Sequence, residues 1–375
     1  MPLNITGHRN TAIPMTPFSG DIRRISERSS SPSFGQASGM MQRINYRHIM
    51  SYLVVGALLF GAGWGAHGWY QRHDHRHKGR RVALQGFRFT SPLLDVELPE
   101  GVNITREPIP FKYKVEAYVQ RQVKTGRVRK MAVYYRDLLD GPWFGINEDE
   151  EFNPASMMKV PVMIAWLKRA EADPQVLERT FVFDKTKKDE VAADAAPGHS
   201  ITPGQSYRVK ELLRYMMNYS DNRAMILLFE RLNTQELNAV LDGMDIDNRP
   251  KDSNNSISVH GYSGFFRILY NGAFLNRDMS EKALELLSLQ DFPQGIAAGV
   301  PKGIPVAAKY GVDEGGAGKD AQLHEFGIVY HRSQPYILGI MTQGHDLDRQ
   351  AEILREISRM VYVEVDSAVL KSERR

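Results

Sequence analysis

Three short groups of residues could do chemistry together in this 375-residue chain. The first is Ser156-Met157-Met158-Lys159, entered through Phe152-Asn153-Pro154-Ala155. Pro154 and the apolar stretch that follows place the serine at a helix start. Residues three apart share a helix face, so the Lys159 ammonium can reach the Ser156 hydroxyl. A serine hydroxyl is a poor nucleophile until a base takes its proton, and a desolvated lysine beside other cations can be neutral enough to be that base. The backbone N–H groups of a helix start can also hold an oxyanion.

The second group is Ser220-Asp221-Asn222, and the third is Lys309-Tyr310-Gly311. The Ser220 hydroxyl could relay a proton to a leaving nitrogen, and the Asn222 amide could hold a substrate carbonyl or the lysine. On its own this trio reads first as a helix cap, because Ser, Asp and Asn are all favoured there. In the third group Lys309 could neutralise a substrate carboxylate, Gly311 could let substrate approach the strand backbone, and the N–H of Val312 could be a second oxyanion donor. Its plain alternative is an ordinary strand end.

These groups need elements to position them. Phe111–Val123 is amphipathic and helical. Lys130–Leu138 and Pro142–Ile146, split by Asp140-Gly141, have the pattern of a hairpin. Helical patterns follow at Met157–Ala172, Val209–Asn218, Asn222–Leu232 and Ser263–Phe274. Strands return at Ile304–Tyr310, Glu325–His331 and Tyr336–Thr342, and Arg349–Val361 closes as a helix. Strands at both ends with helices between predict an α+β fold: an antiparallel sheet flanked by helices, with a helical subdomain. This puts the third group at the closing end of its strand.

Taken together and in order, the three groups resemble the Ser-x-x-Lys, Ser-Asp-Asn and Lys-Thr-Gly set of class A β-lactamases and penicillin-binding proteins. The resemblance runs from about Lys112 to the C-terminus and includes Phe326–Tyr330 and Tyr336–Thr342. It implies an acyl-enzyme on Ser156, formed with a β-lactam or a peptidoglycan stem peptide. Lys159 would be the general base, Ser220 the proton shuttle, and Asn222, Lys309, Tyr310, Gly311 and Val312 the substrate and oxyanion contacts. No cofactor or metal is implied. Two departures stand out. Tyr310 replaces the usual Thr or Ser, which removes a short hydroxyl. No glutamate lies between Glu236 and Glu281, where such lactamases carry the one that activates the deacylating water. Asp245, Asp247 and Asp252 fall in this stretch, but an aspartate is shorter. Slow deacylation is therefore expected. The alternatives are a penicillin-binding D,D-peptidase and a catalytically silent cell-wall scaffold.

Residues 1–48, rich in Ser, Pro, Gly and Arg in their greater part, are expected to be a disordered tail. Ile49–Tyr70 is free of Asp, Glu, Lys and Arg and long enough for a transmembrane helix, with Ala57, Gly61 and Gly65 forming a small-residue row suited to weak helix pairing. Residues 71–110 form a basic linker and lead-in, and 111–375 the β-lactamase-like domain. Arg72, Arg76, Lys78, Arg80 and Arg81 would by the positive-inside rule hold the domain in the cytoplasm. The resemblance implies the outer face of a cell membrane, which is the expectation adopted. Interleaved arginines oppose a metal at His73-Asp74-His75-Arg76-His77. The net charge is +4, but the basicity is concentrated in the first 81 residues and the rest is mildly acidic, so no nucleic-acid groove is expected. The chain has no cysteine, which excludes disulfides and a thiol nucleophile.

Overall fold

The computed structural model describes residues 88–91, 109–139, 141–184, 198–242, 256–316 and 319–373. The tail, the apolar run 49–70, the linker up to 87 and the histidine stretch lie outside the described residues, as do Asp245, Asp247 and Asp252. Among the described residues no helix is long and apolar enough to cross a membrane.

Helix α1 (Lys112–Lys124) leads into strand β1 (Lys130–Asp137) and its hairpin partner β2 (Trp143–Ile146). A two-residue strand β3 (Glu151–Phe152) precedes a 3-10 turn, Ala155–Met158, which runs straight into α2 (Lys159–Ala172). Strands β4 (Thr180–Val182) and β5 (Ser206–Arg208) form a small ribbon. Helices α3 (Val209–Asn218), α4 (Asn222–Phe229) and α5 (Thr234–Asp242) follow. After β6 (Ile257–Ser258) come α6 (Val259–Asn271) and α7 (Arg277–Ser288). Strands β7 (Val306–Asp313), β8 (Ala321–Val329) and β9 (Tyr336–Gly344) and helix α8 (Leu347–Glu373) complete the chain.

The main sheet has the order β2-β1-β9-β8-β7, and every pairing in it is antiparallel. Segments from the two ends of the domain therefore make one sheet, as the strand–helix–strand pattern predicts. Because side chains alternate across a strand, the sheet separates two apolar clusters. One face supplies Ala132, Tyr134, Ala307, Phe326 and Ile328 to the helical part. The other supplies Val133, Tyr135, Leu323 and Leu338 to the layer of α1 and α8. Helix α2 crosses the first cluster, buried from Lys159 through Leu167. A helix apolar on all sides is one surrounded by protein, and this one is a rigid platform for what its N-terminus carries.

Three expectations change. The strand bearing the third group does not close at Tyr310 but continues to Asp313, pairing Val312 with Leu323. Its reversal waits for Gly315 and Gly316, both at positive φ. Strand β8 starts at Ala321, earlier than its apolar pattern suggests, because the buried His324 and Glu325 interrupt the alternation that marks a strand. Helix α6 starts at Val259, capped by Ser258. Helices α5 and α7 complete the set that the sequence pattern alone does not reveal.

Candidate active site

The entry to the nucleophile turn is held by one residue. The backbone N–H of Asn153 donates to Gln322 Oε1 at 3.2 Å, and its side-chain Nδ2 donates to Asp313 Oδ2 at 2.9 Å. Its Oδ1 accepts from the Ala155 N–H, and its carbonyl oxygen lies 3.0 Å from His324 Nε2. His324 Nδ1 accepts from the Thr342 N–H, so the tautomer is fixed with the proton on Nε2. Burial pushes this imidazole down to about 4, against the opposing pull of its hydrogen bonds. From α6, the Tyr262 hydroxyl donates to the Met157 carbonyl at 2.8 Å. The turn is thus pinned from β7, β8 and α6.

It is also strained. Asn147, Ala155 and Ser220 are the non-glycine residues at positive φ among those described, and two of the three flank this site. A positive φ costs an alanine about 1 kcal/mol. Strain of this kind survives where surrounding contacts over-determine it, as they do at Ala155. Strand β7 comes in close against the turn at Gly311, where an added Cβ would lie 2.6 Å from the Pro154 carbonyl oxygen and 3.0 Å from Met157 Cγ. Gly311 therefore makes room for the nucleophile turn itself, rather than only for a substrate.

The side chains converge as follows. Lys159 Nζ lies within hydrogen-bond distance of four oxygens: Ser156 Oγ at 2.6 Å, Asn222 Oδ1 at 2.6 Å, and the carbonyl and hydroxyl oxygens of Ser220 at 2.9 and 3.1 Å. Lys309 Nζ reaches the same Ser220 Oγ at 3.1 Å and the Tyr310 carbonyl at 3.0 Å. Ser156, Ser220 and Asn222 are partly exposed, whereas both lysines are buried. Desolvation, and then the neighbouring Lys159 charge, push the Lys309 ammonium well below the ordinary lysine range; Glu325 opposes them.

The Ser220 trio divides its work. Asp221 is the N-cap of α4, accepting from the Arg223 N–H at 3.1 Å, and it also accepts from the Ser200 hydroxyl and the Ile201 N–H. The cap expected of the trio as a whole is Asp221 alone. This leaves Ser220, held at φ 57°, and Asn222 to face Lys159.

Two backbone donors are placed for an oxyanion. The hydrogen bonds inside the turn use the N–H groups of Ala155 and Met157 and leave that of Ser156 aside. On β7, the edge strand of the sheet, the Tyr310 N–H donates to Gln290 Oε1 at 2.6 Å and so points away from β8. Alternate residues of a strand point their N–H groups the same way, so the N–H of Val312 leaves the same open edge.

The sequence matches the profile of the beta-lactamase enzyme family over residues 114–365, more than half of the chain. The chain belongs to that family. Among solved structures, PBP-A is 22% identical with a TM-score of 0.58, covering 68% of this chain and 96% of its own. A point mutant of PBP-A, solved as an acyl-enzyme complex with penicillin G, is likewise 22% identical with a TM-score of 0.58, covering 68% of this chain and 97% of its own. The β-lactamase of Sphaerobacter thermophilus is 21% identical with a TM-score of 0.59, over 67% of this chain and 95% of its own. At such identities these neighbours establish the β-lactamase-like α+β fold. No curated protein matches the sequence.

The motif reading misses Asn153, Tyr262, Gln290, His324 and Glu325. Apart from the conspicuous Asn-Pro pair at 153–154, none has a spacing that marks it.

Proposed function

We propose that this member of the family is a serine hydrolase that forms an acyl-enzyme on Ser156. The observation that carries the reading is Lys159 Nζ, 2.6 Å from Ser156 Oγ inside a buried cluster of two lysines and able as the neutral amine to take a proton. Clustered, desolvated cations favour loss of a proton, which makes Lys159 a base able to accept the one on Ser156. Attack forms the Oγ–carbonyl carbon bond, with the oxyanion received by the N–H groups of Ser156 and Val312. Collapse breaks the bond to the leaving atom, which takes its proton from the Ser220 hydroxyl; Ser220 in turn draws on Lys159. Asn222 fixes Lys159 and faces the acyl group, and Lys309 supplies positive potential through Ser220.

The acyl donor is a β-lactam or a peptidoglycan stem peptide, and the run 49–70 anchors the domain on the outer face of the membrane. Deacylation is slow. The glutamates that bound the glutamate-free stretch are both engaged elsewhere: Glu236 with Arg169 and the Asn233 N–H, and Glu281 with the N–H groups of Arg88, Phe89 and Thr90. That same observation favours a penicillin-binding D,D-peptidase as the second reading.

Intact mass of the full chain after adding a penicillin or a cephalosporin tests this. A long-lived adduct absent from Ser156→Ala supports slow deacylation. Drug consumption that depends on Ser156 without an accumulating adduct shows rapid turnover instead. Adduct formation undiminished in Ser156→Ala removes Ser156 from the chemistry.

A further inference from the structure

The third motif sits at the edge of β7, beside the cleft that a leaving group would occupy. A carboxylate placed there would need a cation or free donors to replace its water. The cation and the backbone donor of the motif already have other roles. Lys309 is wholly buried, and its Nζ donates to Ser220 Oγ and the Tyr310 carbonyl. The Tyr310 ring lies over that ammonium at 4.1 Å from its centroid and stacks on Phe292 at 4.5 Å. The lysine charge is therefore roofed by the Tyr310 ring, which stacks on Phe292, and both rings are partly exposed.

At Tyr310 the strand edge is covered as well. Gln290 Oε1 takes the Tyr310 N–H, and Gln290 Nε2 donates to Glu325 Oε1 at 2.9 Å. Glu325 stands directly across the sheet register from Tyr310, fully buried, and its second oxygen accepts from the Ile296 N–H at 2.6 Å. Gly295 is required by this arrangement, since a Cβ there would fall 1.8 Å from Glu325 Oε2. The acid in this set of contacts is thus the protein's own carboxyl group, which occupies, beneath the third motif, the donors of Gln290 and of the Ile296 N–H.

We propose that, of the two donors considered above, the natural one is a stem-peptide acyl group whose leaving group carries no carboxylate. An uncharged, flat amide or ester lies instead against Tyr310 and Phe292, so that penicillins and cephalosporins, which do carry a carboxylate, acylate Ser156 more slowly. This rests on Ser156 being the acyl acceptor. It names Tyr310 as the residue that sets leaving-group specificity, with Gln290 and Glu325 positioning the strand edge behind it. A planar amide face packs on an aromatic ring without giving up the hydration that a charge would lose.

The test uses the full chain and two phenylacetylglycyl thioesters, one of mercaptoacetate and one of mercaptoacetic N-methylamide. Transfer to Ser156 Oγ breaks the carbon–sulfur bond and releases the thiol, which carries away the serine proton, so thiol release reports kcat/KM for each. After correction for the two thioesters' own rates with hydroxide, the neutral donor is expected to be preferred by about tenfold or more. Tyr310→Thr should shift the ratio toward the carboxylate donor by a similar factor, an internal comparison that a general loss of folding cannot mimic. Equal rates, or preference for the carboxylate donor in the unmodified chain, overturn the proposal. If neither thioester reacts while a fluorophosphonate still modifies Ser156, the proposal falls alone. If the fluorophosphonate also fails, the acyl-acceptor reading falls with it.

Discussion

Lys309 and Tyr310 are consecutive, yet the two faces of β7 that they occupy follow opposite electrostatic plans. On one face, Lys309 and Gly311 meet the nucleophile turn, where two buried lysines share the Ser220 hydroxyl. On the other, Tyr310 stands opposite a buried glutamate that holds Gln290. The first face concentrates positive charge where a hydroxyl must lose its proton. The second concentrates an acid where the related enzymes, by the resemblance above, place a short hydroxyl. On the function proposed here, one strand would keep the residues of acyl transfer on one face while the other face carries Tyr310 where the resemblance leads one to expect Thr or Ser.

The largest expected effect breaks the first face. Lys159→Met should lower the rate of Ser156 acylation at least about a thousandfold, because the serine loses its proton acceptor. Single-turnover labelling checks this, and circular dichroism of the variant confirms the fold.

The second face should reveal itself in the pH dependence of stability. Burial pushes the Glu325 carboxyl up to about 7, although the Ile296 N–H, Gln290 and Lys309 pull the other way. The unfolded chain ionises this group near its ordinary value, so the folded state binds the extra proton between roughly pH 4.5 and 7. Stability from this group is full below pH 4.5 and is lost as pH rises through 7, by about 3 kcal/mol. Glu325→Gln should remove this limb, read as a stability difference from the unmodified chain that changes by about 3 kcal/mol between pH 4.5 and 7 in urea unfolding. His324 does the reverse on the acid side. Held down to about 4 by burial, it costs stability as pH falls from 6.5 through 4, again by about 3 kcal/mol. In the unmodified chain the two limbs overlap and nearly cancel, leaving a shallow hump of under about 1 kcal/mol between pH 4 and 8. Each environment is therefore read from its own variant: a difference from Glu325→Gln or from His324→Gln that does not change with pH would contradict the environment of that residue.

Lys309→Met separates charge from packing. The variant takes a donor from Ser220 Oγ and the Tyr310 carbonyl and so loses about 1–3 kcal/mol of stability, while acylation should slow about a hundredfold through lost electrostatic support. A variant that loses stability and keeps its rate would make Lys309 structural. The smallest effect concerns the strained turn. Ala155→Gly relieves the positive φ but loosens the unfolded chain, so its net gain is at most about 1 kcal/mol, read as a rise in Tm.

The contrast between the faces also explains what is legible in the sequence. The layout of sheet and helices follows from periodicity, and Ser156, Lys159, Ser220, Asn222 and Lys309 follow from short spacings along the chain. All five meet in the structure within a few hydrogen bonds. Gln290, Glu325 and Phe292 are separated in sequence from Tyr310 and from Ser156: the antiparallel register of β7 with β8 brings Glu325 beside the motif, and the segment after α7 brings Gln290 and Phe292. His324 and Glu325 moreover disguise their own strand, because buried polar residues look like loop residues until their partners are known. As a candidate cap, Asp221 is indistinguishable from its neighbours in the sequence. Only the turn at Ser220 shows which of the three side chains faces the helix and which face the lysine.

The measurement that bears most directly on the central claim is the location of a covalent adduct. The full chain treated with a fluorophosphonate, digested and sequenced by mass spectrometry should carry the phosphonyl group on Ser156, with labelling abolished in Lys159→Met. An adduct on Ser220 in place of Ser156, or labelling of Ser156 that survives loss of Lys159 undiminished, would contradict the account.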